Sequence, residues 1–142
     1  MTDADKYALS ARIAAAAEKA GLPQELVWDE RLFCTSCRAE AIFINQRRAM
    51  AGDKCPLCRS PVKHPPLDLT DPAVLLPLVK AWRDKNRPAR TWGIEVDADE
   101  TIARVWGAEG HCENWRVAPD DDPMEALARA FEAALRWEAT ND

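Results

Sequence analysis

The sequence lacks several features that would narrow its function quickly. It has no run of eighteen apolar residues, so no membrane span is expected. Asp3 and Asp5 stand where a signal peptide would carry positive charge, and Glu18 and Lys19 break the alanine-rich stretch behind them. A cytoplasmic chain is therefore expected, with its cysteines reduced. There is no glycine-rich loop to cradle a phosphate, no paired acid and base, and no internal repeat. An enzyme acting on a small-molecule substrate is not expected, and neither is a membrane partner.

What is present is a chain of 142 residues, enough for one domain or two small ones. Its net charge of −5 is unevenly spread. Residues 29–65 carry seven basic side chains against four acidic ones, a balance of +3, whereas residues 119–142 carry two against seven, a balance of −5. The middle of the chain is a basic island on an acidic protein, and that polarity bears on partners more than the total does.

The island coincides with four of the five cysteines, spaced Cys34-x2-Cys37-x17-Cys55-x2-Cys58. Two Cys-x-x-Cys turns can each offer two sulfurs to one ion, and a gap of 17 residues allows a hairpin to bring the turns together. Glu40–Asn45 is the natural strand of that hairpin. Zinc suits a tetrahedral set of four thiolates, and such a closed shell leaves no open position for water or substrate. A structural ion is the expected reading; rubredoxin-like iron is the alternative, for which the inter-pair spacing is short. Here the chain resembles the zinc-ribbon family, with Cys34 and Cys37 in FCTSC and Cys55 and Cys58 in CPLC at the ligand positions. It departs from the family in carrying Arg38 and Arg59 after the pairs, where many ribbons have glycine.

The ribbon's basic residues Arg47, Arg48, Lys54 and Arg59 admit three readings: contact with nucleic acid phosphates, contact with an acidic protein surface, or plain solvation of a hairpin tip. Phe43 is expected in the small core. His64 is not needed as a ligand. His111 and Cys112 are neighbours on a strand and should diverge to opposite faces, so Cys112 reads as a half-buried free thiol. Among six tryptophans, Trp82, Trp92 and Trp115 are expected to fill a core, leaving Trp106 and Trp137 as candidates for contact.

Outside the ribbon the pattern predicts a helix over residues 3–20, with Leu9, Ile13, Ala16 and Ala20 on its buried face. The prolines at His64-Pro65-Pro66 suggest a boundary. A helix starting at Asp71-Pro72 follows, with Pro77 an awkward interior residue that implies a kink or a later start. Thr91–Val96, Thr101–Gly107 and His111–Ala118 read as strands joined by the turns DADE and AEG, short enough to force an antiparallel meander. Asp122-Pro123 begins a last helix, with Met124, Leu127, Ala128, Phe131 and Leu135 as its stripe. The acids Asp120 to Asp122 are read as helix capping rather than metal binding.

The predicted fold class is α+β: an N-terminal helix (residues 1–23), a four-cysteine zinc ribbon (24–66), and an α-β-β-β-α domain (67–142). The order of the last part matches the double-stranded RNA-binding domain in outline. However, DDDPMEA and DADE stand where phosphate contact would need lysine or arginine. LTDPAVLLPLV, a tryptophan-bearing meander and DPMEALARAFEAAL resemble more closely the αβα-sandwich domain of small bacteriophage proteins. That resemblance implies a phage or prophage accessory protein in the host cytoplasm. It would engage a host protein or complex, inhibition of host defence being one form, or alternatively bind nucleic acid through Arg47, Arg48 and Lys54.

Overall fold

The structure is a computed structural model that describes residues 1–85, 90–107 and 110–140. Ala108 and Glu109 of the expected AEG turn lie outside the described residues. The architecture is mixed α+β, with helices at both ends and small antiparallel sheets between them.

Helix α1 spans Asp3–Lys19. Thr2 and Asp5 cap it reciprocally: the Thr2 hydroxyl accepts the Asp5 N–H and the Asp5 carboxylate accepts the Thr2 N–H, each at 3.1 Å. Its buried face is Leu9, Ser10, Ile13, Ala14 and Ala17, while Ala16 is half-buried and Ala20 exposed. The face is rotated from the expected one because a run of alanines carries little directional signal. Partners decide it instead: α1 packs on the last helix, and the Ser10 hydroxyl accepts the Leu69 N–H at 2.9 Å.

Helix α2 runs unbroken over Pro72–Asp84 with Pro77 inside it, so the expected late start is not seen. Asp71 caps it by accepting the Ala73 N–H at 2.9 Å. Pro77 is exposed, and it lies beside the fully buried Leu75, Leu78, Val79 and Trp82 rather than among them. Strands β5 (Thr91–Val96), β6 (Thr101–Trp106) and β7 (Cys112–Val117) form the predicted antiparallel meander with β6 in the centre. Helix α3 (Pro123–Thr140) lies across one face of this sheet. Asp122 accepts the Met124 N–H at 2.9 Å, which is the capping role read from the sequence.

One large core joins α1, α2, α3 and the inner face of the sheet, with Trp82 edge-on to Phe131 at 5.5 Å. Trp92 packs against it from β5, but Trp115 does not fill it. Trp115 is 41% exposed, with the Arg129 guanidinium 5.2 Å from its ring centre. Beneath Trp82 lies a polar cluster with no sequence signature. Its indole N–H donates to Glu138 at 2.7 Å, and Arg90 pairs with the same carboxylate at 2.8 Å while lying 4.7 Å from the Trp82 ring.

The cysteine segment is a second body with its own small core of Leu32, Cys34, Ile44, Ala49, Cys55 and Val62. The chain enters and leaves it along a paired neck. Asp29 N–H donates to Pro65 O at 2.8 Å, Leu67 N–H donates to Val27 O at 2.8 Å, and Trp28 bridges Pro66.

Candidate metal centre

The local folding of the cysteine segment explains how the four sulfurs meet. Strand β1 (Phe33–Cys34) pairs with β4 (Val62–Lys63), which brings the first turn beside the end of the second. Between them β2 (Phe43–Ile44) pairs with β3 (Arg47–Arg48). The hairpin between these strands turns through Asn45 and Gln46 at φ of 52° and 64°. Two left-handed residues in succession match the right-handed twist of the strands. The strand is thus shorter than Glu40–Asn45, and Arg47 and Arg48, read from sequence as belonging to a hairpin tip, form a strand of their own. Phe43 corrects a second expectation: it is 68% exposed, and Ile44 turns inward instead. Adjacent strand residues face opposite ways, and the small core has room for one of them.

Each Cys-x-x-Cys turn closes on an arginine in the left-handed region, Arg38 at φ 61° and Arg59 at φ 64°. Their N–H groups donate to Cys34 O at 3.1 Å and Cys55 O at 2.8 Å. These are the positions where ribbons often place glycine, so the turn geometry survives the substitution at some backbone strain. Across the two turns, the Ser36 and Ser60 hydroxyls are hydrogen-bonded at 2.6 Å.

The sulfurs of Cys34, Cys37, Cys55 and Cys58 all lie within 4.8 Å of one another. Cys34 and Cys58 are 3.1 Å apart, and Cys37 and Cys55 are 3.7 Å apart. The N–H groups of Ser36 and Cys37 both point at the Cys34 sulfur at 3.4 Å, the kind of donor that stabilises a thiolate. Hydrogen bonding from the Ser60 backbone pulls Cys58 down to about 6. Cys37 moves the other way: the Ala39 N–H favours its thiolate, but neighbouring sulfurs and burial outweigh it and push the thiol up to about 11. Four thiolates this close repel unless protons or a cation neutralise them. The group can therefore hold one metal ion, with every donor a sulfur.

The remaining candidates divide. Arg47 is held by Asp53 at 2.8 Å. Arg48, Lys54 and Arg59 are exposed, with no carboxylate paired to them among the described residues. His64 stands outside the sulfur cluster, its Nδ1 2.9 Å from Asp29 O. A carbonyl can only accept, so Nδ1 carries the proton. Trp106 is half-buried and alternates with the core residues Ala103 and Val105, so it belongs to the other face of β6. Trp137 is half-buried and stacked on His111 at 4.0 Å. His111 also meets Glu113 at 2.6 Å, while Cys112 points the other way and burial pushes its thiol up. Sequence reasoning missed the exposed apolar side chains of the ribbon, Ile42, Phe43, Met50 and Leu57. Only the strand alternation at Phe43 and Ile44 could have flagged one of them.

Compared with models of protein families, with curated proteins and with solved structures, the chain matches none. No helix among the described residues is long and apolar enough to cross a membrane.

Proposed function

We propose that this chain is a non-enzymatic binding protein, folded in part around one structural zinc ion, whose ribbon presents an apolar and basic tip to a protein partner. The zinc reading rests on the donor set. Thiolates held at about 2.3 Å from a tetrahedral ion lie about 3.8 Å apart, close to the spacing of the cluster, and four of them fill the shell.

The binding reading rests on one observation. Among the described residues, eight large apolar side chains are exposed, and four of them (Ile42, Phe43, Met50 and Leu57, at 54–79%) belong to the ribbon. A module with so small a core would gain nothing by leaving these in water; Ile42 and Met50 line one depression together, and exposed apolar side chains grouped in this way mark a contact surface. Arg48 lines the same depression, and Lys54 and Arg59 are exposed elsewhere on the segment, which suits a partner that carries acidic residues beside an apolar contact. Contact through Arg47, Arg48 and Lys54 with nucleic acid has less behind it, because Arg47 is already committed to Asp53. The likeness of residues 67–142 to phage sandwich domains would make the partner a host protein or complex, host-defence inhibition included.

Two measurements test this. Purified chain should carry one zinc per molecule and be colourless; iron, or a ribbon that keeps its fold after chelation, refutes the metal assignment. Phe43→Ser/Leu57→Ser, both at exposed positions, should lose a partner that the parent retains in moderate salt and after nuclease. Equal retention by the variant, or loss to nuclease, refutes the protein-contact reading.

A further inference from the structure

A second surface, separate from the ribbon tip, has a different chemistry. Between α1 and the first cysteine turn lies a cleft of about 540 Å³, walled by Tyr7, Trp28, Phe33 and His64, with Arg38 and Lys63 at its edges. That volume falls within the ~300–1,000 Å³ common for small-molecule sites. Four flat ring systems converge here from three segments of the chain. Tyr7 is 52% exposed on α1, and Arg38 from the ribbon reaches over its ring at 5.9 Å.

The charge of the cleft is set by which ions are already paired. Its one carboxylate, Asp29, is gripped by Arg31, whose Nε and Nη2 donate to it at 3.1 and 2.9 Å. Among the described residues no carboxylate pairs with Arg38 or Lys63. The cleft therefore offers two uncompensated cations around aromatic faces and no free acid. The neutral form of His64 adds an Nε2 acceptor, since its Nδ1 proton is held by the Asp29 carbonyl.

We propose that this cleft binds a nucleotide, with the base among the aromatic rings and the phosphate on Arg38 and Lys63. Base stacking on aromatic side chains supplies sequence-tolerant affinity, and unpaired cations at the rim supply the phosphate contact. An acidic peptide would use the cations but leave the rings facing flexible side chains. The nucleotide can be free or part of a single strand, since both present the same base and phosphate. The proposal does not rest on the ribbon-tip reading, which uses other residues.

The test titrates the isotope-labelled, zinc-loaded full chain with AMP, with a short oligothymidylate and with polyglutamate. Amide resonances of Tyr7, Trp28, Phe33, Arg38 and Lys63 should shift with AMP, the oligonucleotide or both, and whichever binds more tightly identifies the source. Arg38→Gly/Lys63→Ala should weaken that binding about tenfold. Glycine relieves the left-handed backbone at residue 38, and an unchanged unfolding midpoint of the zinc-loaded variant would show that the loss does not come from the Lys63 change in β4. Three outcomes overturn the proposal: no shifts at these residues with either nucleotide form, unchanged binding by the variant, or the same shifts with polyglutamate at the same concentration.

Discussion

Glu138→Ala should be the most destabilising substitution of a charged residue in this protein. The Glu138 carboxylate receives the Trp82 indole N–H at 2.7 Å and the Arg90 guanidinium at 2.8–3.1 Å. Both charged side chains are nearly sealed, at 10% and 11% exposure, and Arg90 also donates to Trp82 O at 2.7 Å and Lys85 O at 3.0 Å. Truncating the acid leaves a buried cation without its counter-ion, a loss of about 3–5 kcal/mol. It also orphans an indole N–H, a cost of about 1–3 kcal/mol that overlaps with the first because both groups share one carboxylate.

A total near 4 kcal/mol corresponds to a fall of about 10–20 °C in Tm for a chain of this size. The assay is a double-mutant cycle by urea and thermal unfolding, using Glu138→Ala, Arg90→Ala and the pair. The double variant should be more stable than the sum of the single losses predicts, because removing both ions leaves no buried charge. Glu138→Gln should lie between, since the amide oxygen still accepts from the indole but carries no charge. A loss below about 1 kcal/mol for Glu138→Ala, the range of a solvent-exposed pair, would refute the reasoning. So would additive single losses.

Three further outcomes follow from the same geometry. With metal bound, iodoacetamide should modify one of the five cysteines, Cys112, and slowly, because burial raises its thiol; five adducts should appear only after chelation under denaturing conditions, and rapid labelling of Cys34 or Cys58 in the loaded protein would refute the tetrathiolate. Arg59→Gly should stabilise the ribbon by about 0.5–1 kcal/mol by removing a left-handed non-glycine residue, the gain being trimmed by the freer unfolded chain; chelator-dependent unfolding measures it, and a loss would show that the Arg59 side chain has a partner. Asp53 should titrate below the usual carboxylate range, because Arg47 and the Met50 N–H both favour its charged form; its contribution is full at neutral pH and disappears as pH falls through the lowered value, and a carboxyl resonance titrating at the ordinary value would contradict the Arg47–Asp53 pair.

How far these features could be read from sequence depends on how local their cause is. The four cysteines were legible because spacing alone fixes the chemistry: two short turns and one hairpin leave few ways to arrange the sulfurs. The meander and the capped start of α3 were legible for the same reason, since three- and four-residue connections force neighbours to pair and Asp122 caps the helix it precedes. Where the cause is tertiary, sequence reasoning failed in a consistent way. The α1 face was misplaced because alanine is small on every side. Trp115 and Phe43 were assigned to cores because size suggests burial, but Trp115 lies on the edge strand β7 under Arg129 and Phe43 faces out where Ile44 faces in. The Trp82–Arg90–Glu138 cluster joins residues up to 56 apart, and no local period connects them.

The arginines after each cysteine pair show why a departure from a family pattern can carry information. From sequence, Arg38 and Arg59 only cast doubt on the turns, since a left-handed residue other than glycine costs about 1–2 kcal/mol. The structure keeps both in that conformation, at φ 61° and 64°, with the expected N–H bonds intact. If a zinc ion clasps the segment as proposed, its binding energy of about 10–16 kcal/mol would over-determine the turn around its ligands and offset such strain. Glycine there would give the same backbone with no side chain. Arginine at position 38 instead sends a guanidinium across the neck to the Tyr7 ring of α1. The strain thus sits where it places an unpaired cation at the rim of the aromatic cleft, and a ribbon with the usual glycine would lack that cation.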